Sequence, residues 1–212
     1  MKSMNPNICT FYIVRHGQTD WNKKHLIQGQ TDIPLNEEGK LQVKGLAEEF
    51  RSIHFDAVFS SDLTRTRQTA EILALEKKLA VGATHLLRER TFGKLEGKAT
   101  SELRAVHAEL IKLTDEEIKK FKPYEGYETD EVVIGKTITF LRETAIAYPG
   151  KTVLVVSHSA NMRALLVHLG YGNYQEVGPG TIKNTAYIKL ESDGVDFFVK
   201  ETKGIQKIQP TS

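Results

Sequence analysis

The chain has 212 residues, of which 40% are hydrophobic and 26% are charged. This composition is typical of a folded protein of one or two domains and excludes disordered and collagen-like chains. The 29 basic and 27 acidic residues leave a net charge of +2, which argues against nucleic acid as the main partner because polyanion binders carry a larger basic excess.

Cysteine content and hydropathy restrict the class further. A single cysteine, Cys9, excludes an internal disulfide and a cysteine-rich metal site. No apolar run reaches the roughly 20 residues that cross a bilayer, and residues 1–10 lack the hydrophobic core of a secretory signal. We therefore expect a cytoplasmic setting and no membrane partner.

The first part of the chain alternates strand and helix patterns. A short apolar run at 11–14 predicts a buried strand. Asn36 is a favourable N-cap before an apolar stripe of helical spacing, which predicts a helix over 37–52. A second buried strand is predicted at 57–59, followed by a helix over about 63–78.

The alternation continues to the C-terminus. Residues 100–122 have a polar, helical pattern with a capping box at Thr114 and Glu117. The remaining predicted elements are a helix over 129–147, a strand over 153–156, a helix over 160–169, and strands over 186–190 and 195–200. We expect the tail to be loose after Lys203.

Strands and helices at this spacing predict an α/β layered fold with a mostly parallel sheet. The chain shows no internal repeat and no linker rich in proline or glycine. We therefore expect one domain over residues 1–212, with a core at about 10–200 and a helical excursion at about 93–130.

Polar residues follow three of the predicted strands. Arg15 and His16 follow the first, Arg65 lies shortly after the second, and His158 and Ser159 follow the third. The carboxyl ends of parallel strands meet at one edge, so these residues should share a crevice. Arginine binds tetrahedral oxyanions, a helix N-terminus favours negative charge, and neutral imidazole can attack phosphorus. These residues predict an anion-binding crevice that could support phosphoryl transfer, although a lone strand-end histidine more commonly serves only as a hydrogen-bonding residue.

Four motifs in order resemble those of the histidine phosphatase (phosphoglycerate mutase-like) superfamily, over about residues 11–190. They are Arg15–His16–Gly17 with Thr19 and Asn22, then residues 60–65, then Leu87–Arg88–Glu89–Arg90–Thr91–Phe92–Gly93, and finally Val156–Ser157–His158. The resemblance implies a three-layer α/β/α fold with a mostly parallel sheet and helices on both faces.

The resemblance also implies roles for individual residues. His16 matches the nucleophile that becomes phosphohistidine, and Arg15, Arg65 and His158 match the groups that bind the phosphoryl oxygens. Glu89 matches the proton donor to the leaving oxygen. That role requires a carboxyl group that is protonated when substrate binds, and a bound phosphate dianion favours the protonated form.

Within the superfamily, the segment after the acid motif looks like the phosphatase branch, and in particular like TIGAR-type fructose-2,6-bisphosphatases. Asn22 matches an additional hydrogen-bond donor, and Gln28 and Gly29 would line the entrance for the substrate body. Two departures concern the pocket. Ser159 stands where the family often has glycine, and Tyr127 replaces a small residue, so that it either narrows the pocket, stacks on substrate or simply packs at a helix start.

The leading hypothesis is a metal-independent phosphatase for small metabolites such as sugar phosphates or bisphosphates, acting through phosphohistidine without a cofactor. The alternatives are a 2,3-bisphosphoglycerate-dependent phosphoglycerate mutase, a phosphoprotein phosphatase, and an inactive phospho-ligand-binding relative. The expected partner is a small phosphorylated metabolite, and both a monomer and a homodimer are compatible with the sequence.

Overall fold

A computed structural model of the chain describes residues 7–75, 77–110 and 112–209. The strands are β1 (Cys9–Arg15), β2 (Ala57–Ser61), β3 (Val81–Thr84), β4 (Thr152–Ser157), β5 (Ile182–Ser192) and β6 (Phe197–Ile205). The α-helices are α1 (Asp20–Lys23), α2 (Glu37–Glu49), α3 (Thr64–Leu75), α4 (Arg104–Leu110), α5 (Asp115–Lys120), α6 (Asp130–Ala147) and α7 (Ser159–His168). Short 3₁₀ helices occupy His85–Leu87, Gly93–Leu95 and Thr100–Leu103.

The strands form one mixed sheet in the order β3-β2-β4-β1-β5-β6. The four strands from β3 to β1 are parallel, whereas β5 runs antiparallel to both β1 and β6. In the central pair, Phe11 lies beside Val153 and Arg15 lies beside Ser157. This register brings the ends of β1 and β4 to the same edge of the sheet.

Alternate side chains of the central strands enter two separate cores. Phe11 and Ile13 pack on the face covered by α6 and α7, whereas Tyr12 and Val14 pack on the face covered by α2 and α3. Successive strand residues point to opposite faces, so a strand with apolar residues at every position must be covered on both sides. The predicted α/β fold, with a mostly parallel sheet and helices on both faces, is confirmed.

The helix caps explain several of the boundaries. The Asn36 side chain accepts a hydrogen bond from Gly39 N at 2.8 Å and begins α2, as predicted. The Thr129 side chain caps α6, and Thr114 and Glu117 form the predicted capping box of α5. Each cap gives an otherwise free backbone N–H a partner at a helix start.

The structure refines the sequence predictions in three places. The helical pattern over 100–122 is divided into a 3₁₀ turn, α4 and α5. The strand β3 was not predicted, because its sequence Val-Gly-Ala-Thr lacks an apolar run. The chain is also not loose directly after Lys203, since β6 continues to Ile205 and Ile208 N donates to Glu176 O at 2.8 Å. Residues 210–212 of the predicted tail lie outside the described residues.

Candidate active site

The loop after β1 orients the ring of His16. His16 is 2% exposed, and its Nδ1 lies 2.8 Å from the carbonyl oxygen of Gly17. A carbonyl only accepts, so Nδ1 carries the proton and the Nε2 lone pair is free. Burial, together with the charges of Arg65 and Arg15, holds the pKa of His16 well below its usual value. His16 is therefore a neutral imidazole at physiological pH.

The same loop is fixed to two helices. Gly17 N donates to Thr69 Oγ1 at 3.1 Å, and Thr69 Oγ1 donates to Arg65 O at 2.8 Å. A Cβ atom on Gly17 would lie 2.6 Å from Gly39 O, so only glycine permits this approach to α2. The contacts join the histidine loop to the helix that carries Arg65.

Arg65 and His158 form a buried pair next to His16. Both side chains are fully buried, and Arg65 Nε donates to His158 Nδ1 at 3.3 Å. An accepting Nδ1 places the ring proton on Nε2, and Nε2 is a buried donor with no partner among the described residues. The ring of His158 lies 5.3 Å from that of His16. Burial and the nearby Arg65 lower the pKa of His158, so this ring is also neutral.

Backbone carbonyl groups hold the two predicted phosphate-binding arginines. Arg65 donates to Thr31 O at 2.9 Å and to Gly29 O at 2.6 Å, and Arg15 donates to Ile182 O at 2.6 Å. Burial lowers the pKa of Arg15 and that of Arg65 to about 10, against an opposing effect of Glu89. Both guanidinium groups therefore keep their charge at neutral pH.

Helix α1 and the loop after it supply amide donors. Asn22 Oδ1 accepts hydrogen bonds from Thr19 N at 3.2 Å and Asn184 Nδ2 at 3.3 Å. Gln28 Oε1 accepts from Thr19 Oγ1 at 3.0 Å. Both residues line the cleft, and because their oxygens are engaged, their NH₂ groups are the atoms that remain for a ligand.

Gly29 also lines the cleft, in a conformation that suits glycine. Its φ is +54°, and a Cβ atom there would lie 2.1 Å from Glu96 Oε1. The loop therefore approaches the Glu96 carboxylate more closely than a side chain would allow. Through its carbonyl, Gly29 orients Arg65, a role that its position in the sequence did not reveal.

Glu89 reaches the same cleft from the loop after β3. It is 6% exposed, and its carboxyl oxygens accept hydrogen bonds from Arg90 N at 3.0 Å and from Ala160 N at 3.3 Å. Ala160 lies in the first turn of α7, directly after His158 and Ser159. One helix start thus brings together the second histidine, Ser159 and the predicted acid.

Two side chains that sequence reasoning missed hold the Glu89 segment. Arg88 donates to both oxygens of Asp62 at 2.7–2.8 Å. Asn161, 1% exposed, donates to Leu87 O at 3.1 Å and Arg88 O at 2.8 Å. The backbone before Glu89 is therefore tied both to the end of β2 and to α7.

These residues surround a cleft of about 210 Å³. His16, Arg15, Arg65, Glu89, Asn22, Gln28, Gly29 and Ser159 all line it. His158 lies behind them, in contact with Arg65. The structure thus brings all nine predicted site residues to one region, as expected from strand ends at one edge of a sheet.

Tyr127 forms part of the cleft wall and is 7% exposed. Its hydroxyl accepts a hydrogen bond from Arg90, which forms a buried ion pair with Asp130. The ring packs edge-on against Phe92, with centroids 5.8 Å apart. Of the readings open in the sequence, packing near a helix start describes Tyr127, and its ring also borders the ligand space.

Two further residues belong to the site but carried no sequence signal. Asn184 in β5 donates to His16 O at 3.0 Å, although 168 positions separate the two residues. The Glu96 carboxylate accepts from Gln30 N, Thr31 N and Phe92 N at 3.0–3.2 Å. Asn184 could have been indicated only if the pairing of β5 with β1 had been known from the sequence.

Among the described residues, no group of three or more histidine, cysteine, aspartate or glutamate side chains is arranged to hold a metal ion. Within the same part of the chain, every helix is too short or too polar to cross a membrane.

The chain is similar to known phosphatases. The family model of the histidine phosphatase superfamily (branch 1) matches residues 11–203. The uncharacterized phosphatase PhoE of Bacillus subtilis (strain 168) is 33% identical over 161 residues, covering 76% of this chain and 77% of that protein. The mouse fructose-2,6-bisphosphatase TIGAR is 41% identical over 126 residues, covering 57% of this chain and 45% of that protein.

A solved structure gives the same result for the fold. The phosphoglycerate mutase from Bacillus anthracis str. Sterne superimposes with a TM-score of 0.79 at 27% identity, covering 95% of both chains. The strand ends that carry the candidate site therefore lie in a phosphoglycerate mutase-like framework.

Proposed function

Since the chain belongs to the histidine phosphatase superfamily (branch 1) and is a phosphoric monoester hydrolase, we propose a specific reaction for it. The protein hydrolyses phosphomonoesters of small metabolites through a phosphohistidine on His16. The observation that carries the proposal is the state of His16. Its ring is neutral, its Nδ1 is bonded to Gly17 O, and it lines the cleft beside Arg15 and Arg65. An imidazole held in this way presents an unprotonated nitrogen to an electrophile between two cations.

The first step is attack of His16 Nε2 on phosphorus. The N–P bond forms as the bond from phosphorus to the leaving oxygen breaks, and the Glu89 carboxyl gives its proton to that oxygen. Arg15, Arg65 and the unpartnered Nε2–H of His158 offset the charge on the phosphoryl oxygens. The alcohol then leaves the cleft.

The second step regenerates the enzyme. Water attacks the phosphohistidine, the Glu89 carboxylate takes a proton from that water, and the N–P bond breaks to release inorganic phosphate. No metal or cofactor takes part in this scheme. Asn22 donates to the phosphoryl group, Ser159 lies at the helix start that faces the anion, and Gln28 and Gly29 form the entrance for the substrate body.

The proposed substrates are small because the cleft is small. A volume of about 210 Å³ suits a metabolite rather than a folded phosphoprotein segment. Sugar phosphates and bisphosphates are candidates, since TIGAR from mouse is a fructose-2,6-bisphosphatase. A cytoplasmic setting remains our prediction, as does the arrangement as a single domain.

Replacing His16 with alanine tests the nucleophile. H16A should lower kcat by at least about 10⁴-fold, because alanine has no nitrogen on which the phosphohistidine could form. Release of inorganic phosphate from a panel of sugar phosphates, phosphoglycerates and an aryl phosphate measures the effect, with and without EDTA. EDTA should leave wild-type turnover unchanged, and the wild-type chain should carry acid-labile, base-stable phosphate after rapid quenching.

His54, whose side chain is 86% exposed, provides the matched control, and H54A should retain full activity. Undiminished turnover by H16A would refute the mechanism. Isomerisation of 3-phosphoglycerate that depends on 2,3-bisphosphoglycerate, at a rate above hydrolysis, would instead establish a mutase.

A further inference from the structure

Part of the cleft is lined by apolar side chains that the proposed chemistry does not use. They come from the loop after α1, from the segment that follows Glu89, and from the segment just before α6. They are Leu26, Ile27, Phe92, Leu103, Leu110 and Tyr127, called the apolar wall below.

Backbone hydrogen bonds between two loops build one half of the apolar wall. Ile27 N donates to Lys98 O at 2.8 Å, and Thr100 N donates to His25 O at 2.8 Å. Gly97 N completes the pairing by donating to Ile27 O at 2.8 Å. The helical excursion, which begins at Gly93, is thereby fastened to the loop that carries Leu26, Ile27 and Gln28.

An aromatic pair builds the other half. Phe92 and Tyr127 form an isolated β-bridge, and Glu128 N donates to Thr91 O at 3.1 Å. The hydroxyl of Tyr127 accepts a hydrogen bond from Arg90, and its ring packs edge-on against that of Phe92.

Several members of the wall are only partly covered by protein. Leu26, Phe92, Leu103 and Leu110 are half-buried, although they border a cleft that also holds charged groups. Apolar surface left in contact with water is unfavourable in proportion to its area. A ligand with an apolar portion gains affinity by covering these side chains.

The charged side chains of the cleft also favour a ligand with a single phosphate group and an apolar remainder. Within the described residues, the charged side chains that line it are Arg15, Arg65, Glu89 and Arg163. The first three serve the phosphoryl group and the leaving oxygen, which leaves Arg163 alone for the rest of the ligand. A second phosphate group brings about −1.5 to −2 charges, more than one arginine balances.

We propose that the cleft selects, among small phosphomonoesters, those whose alcohol part lays an apolar face against this wall. The inference rests on the proposed function, since it concerns the leaving group of the same reaction. Among the small phosphomonoesters of that proposal, it ranks esters of apolar alcohols above the sugar phosphates and bisphosphates. The substrate class is then a monophosphate ester with a hydrocarbon chain or ring next to the ester oxygen, in preference to an equally large polyhydroxylated ester.

A series of n-alkyl phosphates from methyl to hexyl tests the proposal, because chain length changes the apolar area while the acidity of the leaving alcohol stays nearly constant. We expect kcat/KM to rise about fourfold per methylene until the wall is covered. Propyl phosphate should be hydrolysed faster than glycerol 3-phosphate, which has the same number of carbon atoms. A flat series, or faster hydrolysis of glycerol 3-phosphate, would overturn the proposal.

Variants locate the effect. L103N should reduce the dependence on chain length, whereas L103M, which keeps apolar volume, should preserve it. Leu41 on α2 is 61% exposed and does not line the cleft, so L41N should behave as the wild type. An unchanged slope in L103N would count against the apolar wall.

Binding separates this proposal from the function on which it rests. n-Alkylphosphonates cannot be hydrolysed, and their dissociation constants, measured by calorimetry, should fall with chain length as kcat/KM rises. Binding with this slope but without any ester hydrolysis would refute only the phosphatase mechanism. Hydrolysis that H16A abolishes, combined with a flat binding series, would refute only the apolar wall.

Discussion

The two ends of the cleft, one lined by the candidate phosphoryl-binding residues and the other by the apolar wall, are built from different kinds of secondary structure. The phosphoryl-binding end comes from the edge of the sheet, where His16, Arg65 and His158 are at most 2% exposed and are oriented by neighbouring groups. The apolar wall comes from loops, 3₁₀ turns and short helices, and several of its side chains are half-buried. A rigid sheet edge suits chemistry that depends on distances, while loops can vary without disturbing it.

Glu89 lies at the junction of the two ends. Its carboxyl group contacts the start of α7, and the backbone before it is held by Asn161 and by the ion pair of Arg88 with Asp62. The next residues in the chain lead into the excursion that carries part of the apolar wall. In the proposed mechanism Glu89 takes part in the chemistry by protonating the oxygen of the leaving group, which lies toward the apolar wall.

Of the differences between the two ends, the largest is expected for substitutions at this junction. E89Q should lower kcat by about 10² to 10⁴-fold for alkyl phosphates, because an amide cannot protonate a poor leaving group. The loss should be much smaller for p-nitrophenyl phosphate, whose leaving group needs no proton. Steady-state kinetics on both esters measure the difference, and the exposed Glu131, replaced as E131Q, is the control. Equal slowing of both esters would contradict the acid role.

The buried histidines at the phosphoryl-binding end predict a dependence of stability on pH. His16 and His158 have lowered pKa values in the folded chain, whereas in the unfolded chain they titrate near 6.5. Below about pH 6.5 the unfolded state therefore binds more protons, and stability falls as pH falls. Each ring can cost about 1.4 kcal/mol per pH unit in this range.

Urea unfolding at pH 7.5, 6.5 and 5.5 measures this dependence. H16N removes one titrating ring and should reduce the fall in unfolding free energy between pH 6.5 and 5.5 by up to about 1.4 kcal/mol. An identical pH dependence in H16N and the wild type would show that His16 is not buried as a neutral ring.

The smallest effect is expected at the connection between the two ends. Glu96 accepts from Gln30 N and Thr31 N, next to the carbonyls that hold Arg65, and from Phe92 N in the apolar wall. E96Q replaces one accepting oxygen by a donor, which should lower the unfolding free energy by about 1 kcal/mol. Thermal unfolding measures the change, and Glu102, exposed in the same excursion, supplies the control E102Q. A wild-type melting temperature in E96Q would mean that the two ends are joined by other contacts.

Much of the site was predictable because its residues follow strands. The apolar runs at 11–14 and 153–156 identify parallel central strands, and such strands end at one edge. Arg15, His16, Arg65 and His158 were therefore expected together, and the motif resemblance added Glu89. The contacts of Asn161, Asp62 and Asn184 were not predictable, since a hydrogen bond to a distant backbone carbonyl leaves no periodic pattern in the chain.

The length and net charge of the chain determined only two things. The chain is long enough for a large core, and its charge is too balanced for a general polyanion-binding protein. Local patterns determined the central strands, most helices and the order of the reactive residues, because periodicity and capping act over a few neighbours. Tertiary structure decided the tautomers of His16 and His158, the support of Glu89 and the apolar wall. Each of these depends on atoms from segments far apart in the chain, whose proximity arises only when the sheet and its two helical layers pack.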